Sequence, residues 1–155
     1  MAPIRSFLRR SSGKGFASGS ERMAPLRTTD VPRGRSLVYL RRAEQLMKAA
    51  EWGIEQGHAS VAAVNAVKAS SAAIDAFLVH QLGKRSSGTD HHESLRLVAG
   101  SRSPSKREIG QHLQRVLDRK NEVEYQDRDV TLDDAKELAK HARRLLDTVR
   151  KQIEG

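Results

Sequence analysis

Residues 58–82 read HASVAAVNAVKASSAAIDAFLVHQL, and this stretch decides the fold. Alanine, the best helix former, is its commonest residue, and neither proline nor glycine interrupts it. At 1.5 Å per residue it predicts a rod of roughly 37 Å. The apolar side chains do not keep to one stripe. Val61, Ala62, Val64, Ala66, Val67, Ala69, Ala72, Ala73, Ile74, Ala76, Phe77 and Leu78 cover most of the circumference. A helix apolar nearly all round is buried on several sides, so this is the central helix of a small bundle. Lys68 and Asp75 interrupt it, and it holds no unbroken run of about 18 apolar residues. It is therefore not read as a membrane span, and no membrane partner is expected.

The chain has 155 residues, enough for one domain plus a tail with a core that needs no staples. It has no cysteine, which excludes disulfides and thiolate metal sites. A net charge of +9 favours polyanionic partners such as nucleic acid or an acidic protein. Residues 1–35 carry eight Lys or Arg against two acids, a net of +6, which leaves +3 for the rest. Much of the basicity thus belongs to the tail. Residues 1–34 hold three of the four prolines and no lasting apolar period, so they are expected to be a disordered basic arm, with a domain over 35–155. The opening MAPIRSFLRRSSGKGFASGS is Arg- and Ser-rich, as transit peptides are, but a solvated tail is the preferred reading. Met23 is an alternative start. No secretory h-region is visible, and a cytoplasmic protein is expected.

Outward from the centre, Tyr39, Ala43, Leu46, Met47, Ala50 and Ile54 recur at helical steps and predict a first helix over 36–55, ended by Gly57. The short break makes it the antiparallel neighbour of the central helix. Gly83 is a candidate C-cap, and Asp90 three residues before Glu93 predicts a short third helix from His91. Ser105 with Glu108 opens a fourth helix reaching Tyr125, and Thr131 with Asp134 opens the last. No segment alternates well enough to be called a strand. The expected class is all-α, a four-to-five-helix up-down bundle.

The pattern LGKRSSGTDHHESLRLV after an Ala-rich helix resembles the HEPN superfamily (higher eukaryotes and prokaryotes nucleotide-binding). The later LQRVLDRKNEVEYQ, followed by TLDDAKELAKHARRLLDTV, is similar to the end of the same domain. The resemblance covers roughly residues 37–153. It implies a four-to-five-helix bundle of a kind that often dimerises, so a homodimer is expected. Many members are metal-independent endoribonucleases, typically toxins or antiviral effectors. Their signature is an Arg followed four to six residues later by a His, with a polar residue after the Arg, brought together across two protomers. In toxins paired with a minimal nucleotidyltransferase, a nearby Tyr is the target of inactivating AMPylation.

The matching segment here is RKNEVEY, residues 119–125. The Arg slot falls on Arg119 or Lys120, Asn121 supplies the polar residue, and the His slot falls on Glu124 or Tyr125. The missing imidazole matters. Drawing a proton from a 2′-hydroxyl needs a base near neutrality, and an ordinary Tyr at about 10 is a poor one. A degenerate, non-cleaving site is the preferred reading. A second fit exists in Arg85 and His91, but it lies before the third helix, where Asp90 and His91 more simply cap and pack that helix.

Lys106, Arg107, His112, Arg115 and Arg119 form the best phosphate-binding candidate, the last three at i, i+3 and i+7. The 4% aromatic content argues against base stacking, so binding would be salt-sensitive and through the backbone. The ordinary alternative is a solvated charged face. Lys68 and Asp75, two turns apart, either border a cleft or mark the thin solvent face of the central helix. No metal site is expected: Asp90, His91, His92 and Glu93 splay apart on a helix, and Glu55 with His58 has no second copy. No cofactor is expected. The leading expectation is a toxin- or defence-related HEPN protein that binds RNA or a protein partner, with a weakened ribonuclease site at Arg119, Lys120, Asn121 and Tyr125. The rivals are an active endoribonuclease toxin, using Arg119 or Lys120 for the phosphate and Tyr125, His91 or His112 as proton carrier, with a cognate antitoxin or nucleotidyltransferase, and a non-catalytic dimerisation module.

Overall fold

The computed structural model describes residues 26–88, 91–125 and 129–155, with 124 and 125 as backbone alone. In chain order it has β1 (Thr28–Asp30), a 3-10 turn (Arg33–Arg35), α1 (Ser36–Glu55), α2 (Ala59–Leu82), β2 (Lys84–Ser86), α3 (His91–Ala99), α4 (Lys106–Tyr125) and α5 (Leu132–Glu154). Five helices thus appear where the apolar periods place them. The expected cap at Asp90 lies outside the described residues.

Helix ends follow from local chemistry. Gly57 takes a left-handed φ of 73°, its N–H donates to Ile54 O at 3.0 Å, and His58 N–H donates to Gly53 O at 2.7 Å. This is the Schellman closure that a glycine after a helix permits. Gly83, with φ 66°, ends α2 by the simpler left-handed closure, a single bond from its N–H to Val79 O at 2.9 Å. Thr131 and Asp134 form a reciprocal capping box at 3.1 Å in each direction. The box expected at Ser105 is replaced by contacts to α5: Ser105 Oγ accepts from Gln152 Nε2 at 3.1 Å, and Glu108 lies 3.3 Å from Thr148 Oγ1.

α2 touches every other helix. Its small residues allow this. Ala62, Ala66, Ala69, Ala73 and Ala76 are fully buried, and a Cβ placed on Gly53 of α1 would come within 2.9 Å of the Ala62 nitrogen. Phe77, Ile74 and Leu78 fill the space toward its C-terminal half. Its N-terminal half is less enclosed, with Val61 and Val64 exposed. Among the described residues α2 is long and apolar enough to cross a bilayer by length and composition, yet most of it is buried inside the bundle. α5 runs antiparallel to α1, tied by Arg150 to Glu44 at 2.9 Å and by Arg143 to Glu51, and antiparallel to α4. These half-exposed pairs fix register more than they add stability.

One expectation needs correction. β1 pairs antiparallel with β2, Thr28 opposite Ser86 and Asp30 opposite Lys84. The stretch assigned to the tail therefore enters the fold from Leu26, which packs against the core. Three-residue strands are too short to show a period of two, so no sequence pattern announced them.

Candidate functional site

The RKNEVEY turn closes the C-terminal end of α4. Arg119 is not offered to solvent as a free fork. Its Nη1 lies 3.1 Å from Glu122 Oε2 and 3.7 Å from Asp134 Oδ1, and Asp134 is the buried half of the α5 cap. Successive helical residues diverge by about 100°, so Lys120 faces elsewhere. It borders an apolar groove of about 430 Å³ with Val64, Val67, Lys68 and Val123. Asn121 is exposed, and the Tyr125 side chain lies outside the described residues. The structure thus sends Arg119 and Lys120 to two different surfaces.

The wider basic stripe is also divided. Lys106 and Arg107 line a groove against α3, and Lys106 Nζ donates to Ser101 O at 3.2 Å. His112, Arg115 and Arg119 turn toward α5. Carboxylates of Asp118, Glu122 and Glu137 share the concavity with Arg115 and Arg119, which makes it mixed rather than basic.

The second Arg–His pair meets. Arg85 of β2 and His91 of α3 line one cavity of about 130 Å³, together with Ser71 and Asp75 of α2, Ser86, Ser94, and the apolar Ile74 and Leu113. His91, at the start of α3, thus shares this cavity with Arg85. The Arg85 Nε is buried with no hydrogen-bond partner. Burial pushes the Asp75 carboxyl up to about 6, although Arg85 and Arg42 pull it down. A carboxyl poised near neutrality in a polar cavity is a common mark of a functional site.

A model of one protein family, described as the HEPN domain, matches residues 36–152. The chain belongs to the HEPN family. No curated protein and no solved structure matches it. The matched span of this HEPN domain contains both Arg85–His91 and Arg119–Tyr125, so membership alone does not choose between them.

The HEPN bundle also holds a pair that sequence reasoning passed over. His112 Nδ1 lies 3.1 Å from His141 Nδ1, and His141 Nε2 lies 3.2 Å from Glu137 Oε1. Lys140, then the His141 bond, keep the Glu137 carboxyl below its usual range, so it is an acceptor. His141 Nε2 then carries a proton, its Nδ1 accepts, and His112 Nδ1 donates. This leaves the lone pair of His112 on Nε2, 4.0 Å from Glu108. Burial lowers both imidazoles, and the Glu137 bond only partly offsets it for His141. The signal was available: His141 falls on the apolar face of α5, between Leu138 and Leu145. Among the described residues no three His, Cys, Asp or Glu side chains are grouped to hold a metal ion.

Proposed function

We propose that this HEPN domain binds RNA or a protein partner as a homodimer, in a toxin or defence setting, and that its α4 ribonuclease site is weakened. The commitment of Arg119 carries this reading. A phosphate-holding arginine works through an open fork. This one is engaged by Glu122 and by the buried Asp134, and the His slot beyond it holds Glu124 or Tyr125. The apolar groove beside Lys120 supports the seam between two copies, since an exposed apolar concavity on a small domain marks an interaction surface. Expression in a bacterial host tests it. Wild type and the Lys120→Ala, Tyr125→Phe double variant are expected to grow equally and leave RNA intact. RNA affinity is expected to fall steeply with salt, and to weaken more in Arg115→Ala than in Arg119→Ala, whose fork is already engaged. Absence of RNA binding at low salt, together with absence of any protein partner, would remove the reading.

One observation favours an active endoribonuclease toxin instead: Arg85 and His91 reach a common cavity with Asp75. On that reading, expression arrests growth, and Arg85→Ala or His91→Ala relieves the arrest while Lys120→Ala does not.

A further inference from the structure

We propose that the cavity beneath β2 and the start of α3 is a binding site for a terminal phosphate group, held by Arg85 and taken up together with one proton on Asp75. The inference is independent of what the α4 turn does. The core around this cavity is built from Ala, Leu, Ile and Val, whereas its lining is dominated by Ser71, Asp75, Arg85, Ser86, His91 and Ser94. Buried polar groups in folded proteins are normally paired. Here the Nε–H of Arg85 is buried and unpaired, and its Nη1 donates only a long bond, 3.3 Å, to Ser86 O. A donor left over inside a polar cavity calls for an acceptor from outside the chain, and the guanidinium fork suits a phosphate oxyanion.

The charges agree. Asp75 is faced by Arg85 from β2, Arg42 from α1 and His91 from α3, while α4 contributes only Leu113. Among the described residues Glu93 also borders the cavity: its carboxylate lies against Gly88 and accepts from Ser86 Oγ at 3.3 Å. α3 begins at the cavity, so the positive end of its dipole adds to the attraction. An ionised Asp75 would repel a phosphate. Burial already brings its carboxyl close to the point of accepting a proton, so an arriving anion completes the transfer, and the neutral carboxyl then donates to a phosphate oxygen. The proton comes from solvent, and no covalent bond changes. About 130 Å³ bounded by α2, β2, α3 and α4 suits a terminal group and not a phosphodiester chain passing through.

Isothermal titration of the whole chain tests this with sulfate, which stays dianionic between pH 5.5 and 8, and then with inorganic phosphate. Sulfate is expected to bind with uptake of one proton, its affinity falling about tenfold per pH unit above 6. Arg85→Gln should abolish binding and Arg85→Lys weaken it, with circular dichroism showing both folded. Asp75→Asn should bind with nearly constant affinity across the range. A 5′-phosphorylated oligoribonucleotide that binds better than its 5′-hydroxyl twin identifies an RNA end as the source, and equal oligonucleotide affinity with anion binding retained identifies a free phosphate. No anion bound at any pH, binding unchanged in both Arg85 variants, or affinity rising with pH would each overturn the site. Affinity for the 5′-hydroxyl oligonucleotide separately tests the RNA reading above.

Discussion

Asp75 and His141 are ionisable residues set into apolar helix faces, and they make stability depend on pH in opposite senses. Asp75, raised to about 6, binds more protons in the folded chain than in the unfolded one, so its neutral form is accommodated in acid and its charge costs stability as pH rises from about 4 through 6. Asp75→Asn is therefore expected to stabilise the protein by about 2 kcal/mol at pH 7.5 and by nearly nothing at pH 4. The two imidazoles are lowered, so the unfolded chain takes up protons first. Their contribution is intact above pH 6.5 and is lost as pH falls below it. His141→Leu should flatten that acid limb. Urea denaturation at each pH measures both effects, and parallel pH profiles for wild type and variants would refute them. Residues at this scale were only half legible. Lys68 and Asp75 share a helical face by spacing, yet Lys68 borders an apolar groove and Asp75 a smaller, polar cavity. The difference arises because β2 and α3 cover one end of α2, and spacing along one helix carries no information about what covers it.

The helices are legible in the sequence for a physical reason. Four of the five helices are long, and Gly57, Gly83 and the Thr131–Asp134 box mark the ends of α1 and α2 and the start of α5, so those boundaries are set by neighbours within a few residues. What was not legible is set by distant partners. The strand over 28–30 exists because residues 84–86 lie beside it, and Ser105 turns to Gln152 instead of Glu108 because α5 passes there. The α1–α2 crossing is the element contact with the least slack. Gly53→Ala is expected to cost about 1–3 kcal/mol, because the added methyl would meet the backbone of Ala62 rather than a side chain that can swing away. Chemical denaturation checks it, and an unchanged midpoint would show that the helices separate freely.

For the whole molecule, the open question is what covers the groove at Val64. On the homodimer reading, Val64→Glu places a charge on an exposed residue of that surface and should yield a monomer by light scattering, with helicity unchanged. A dimer that persists would move the seam elsewhere. The family, the bundle and its helix order could all be read from the chain, while the site could not. Charge counts locate basic residues but not the acids that neutralise them: Arg119 meets Glu122 one turn further along α4, but it meets Asp134 only because α5 folds against α4. The β1–β2 ladder has a consequence in time. Its residues lie more than fifty positions apart, whereas the helical hairpin between them closes over a three-residue turn. Local contacts form first and such long-range pairings last. With three residue pairs, flanked by Val31 to Gly83 at 2.9 Å and Ser87 to Arg27 at 3.0 Å, the ladder is also the weakest seam to reopen. The wall of the pocket at Arg85 is thus expected to close late in folding and to open before any helix does, which faster amide exchange at residues 84–86 than in α2 would show.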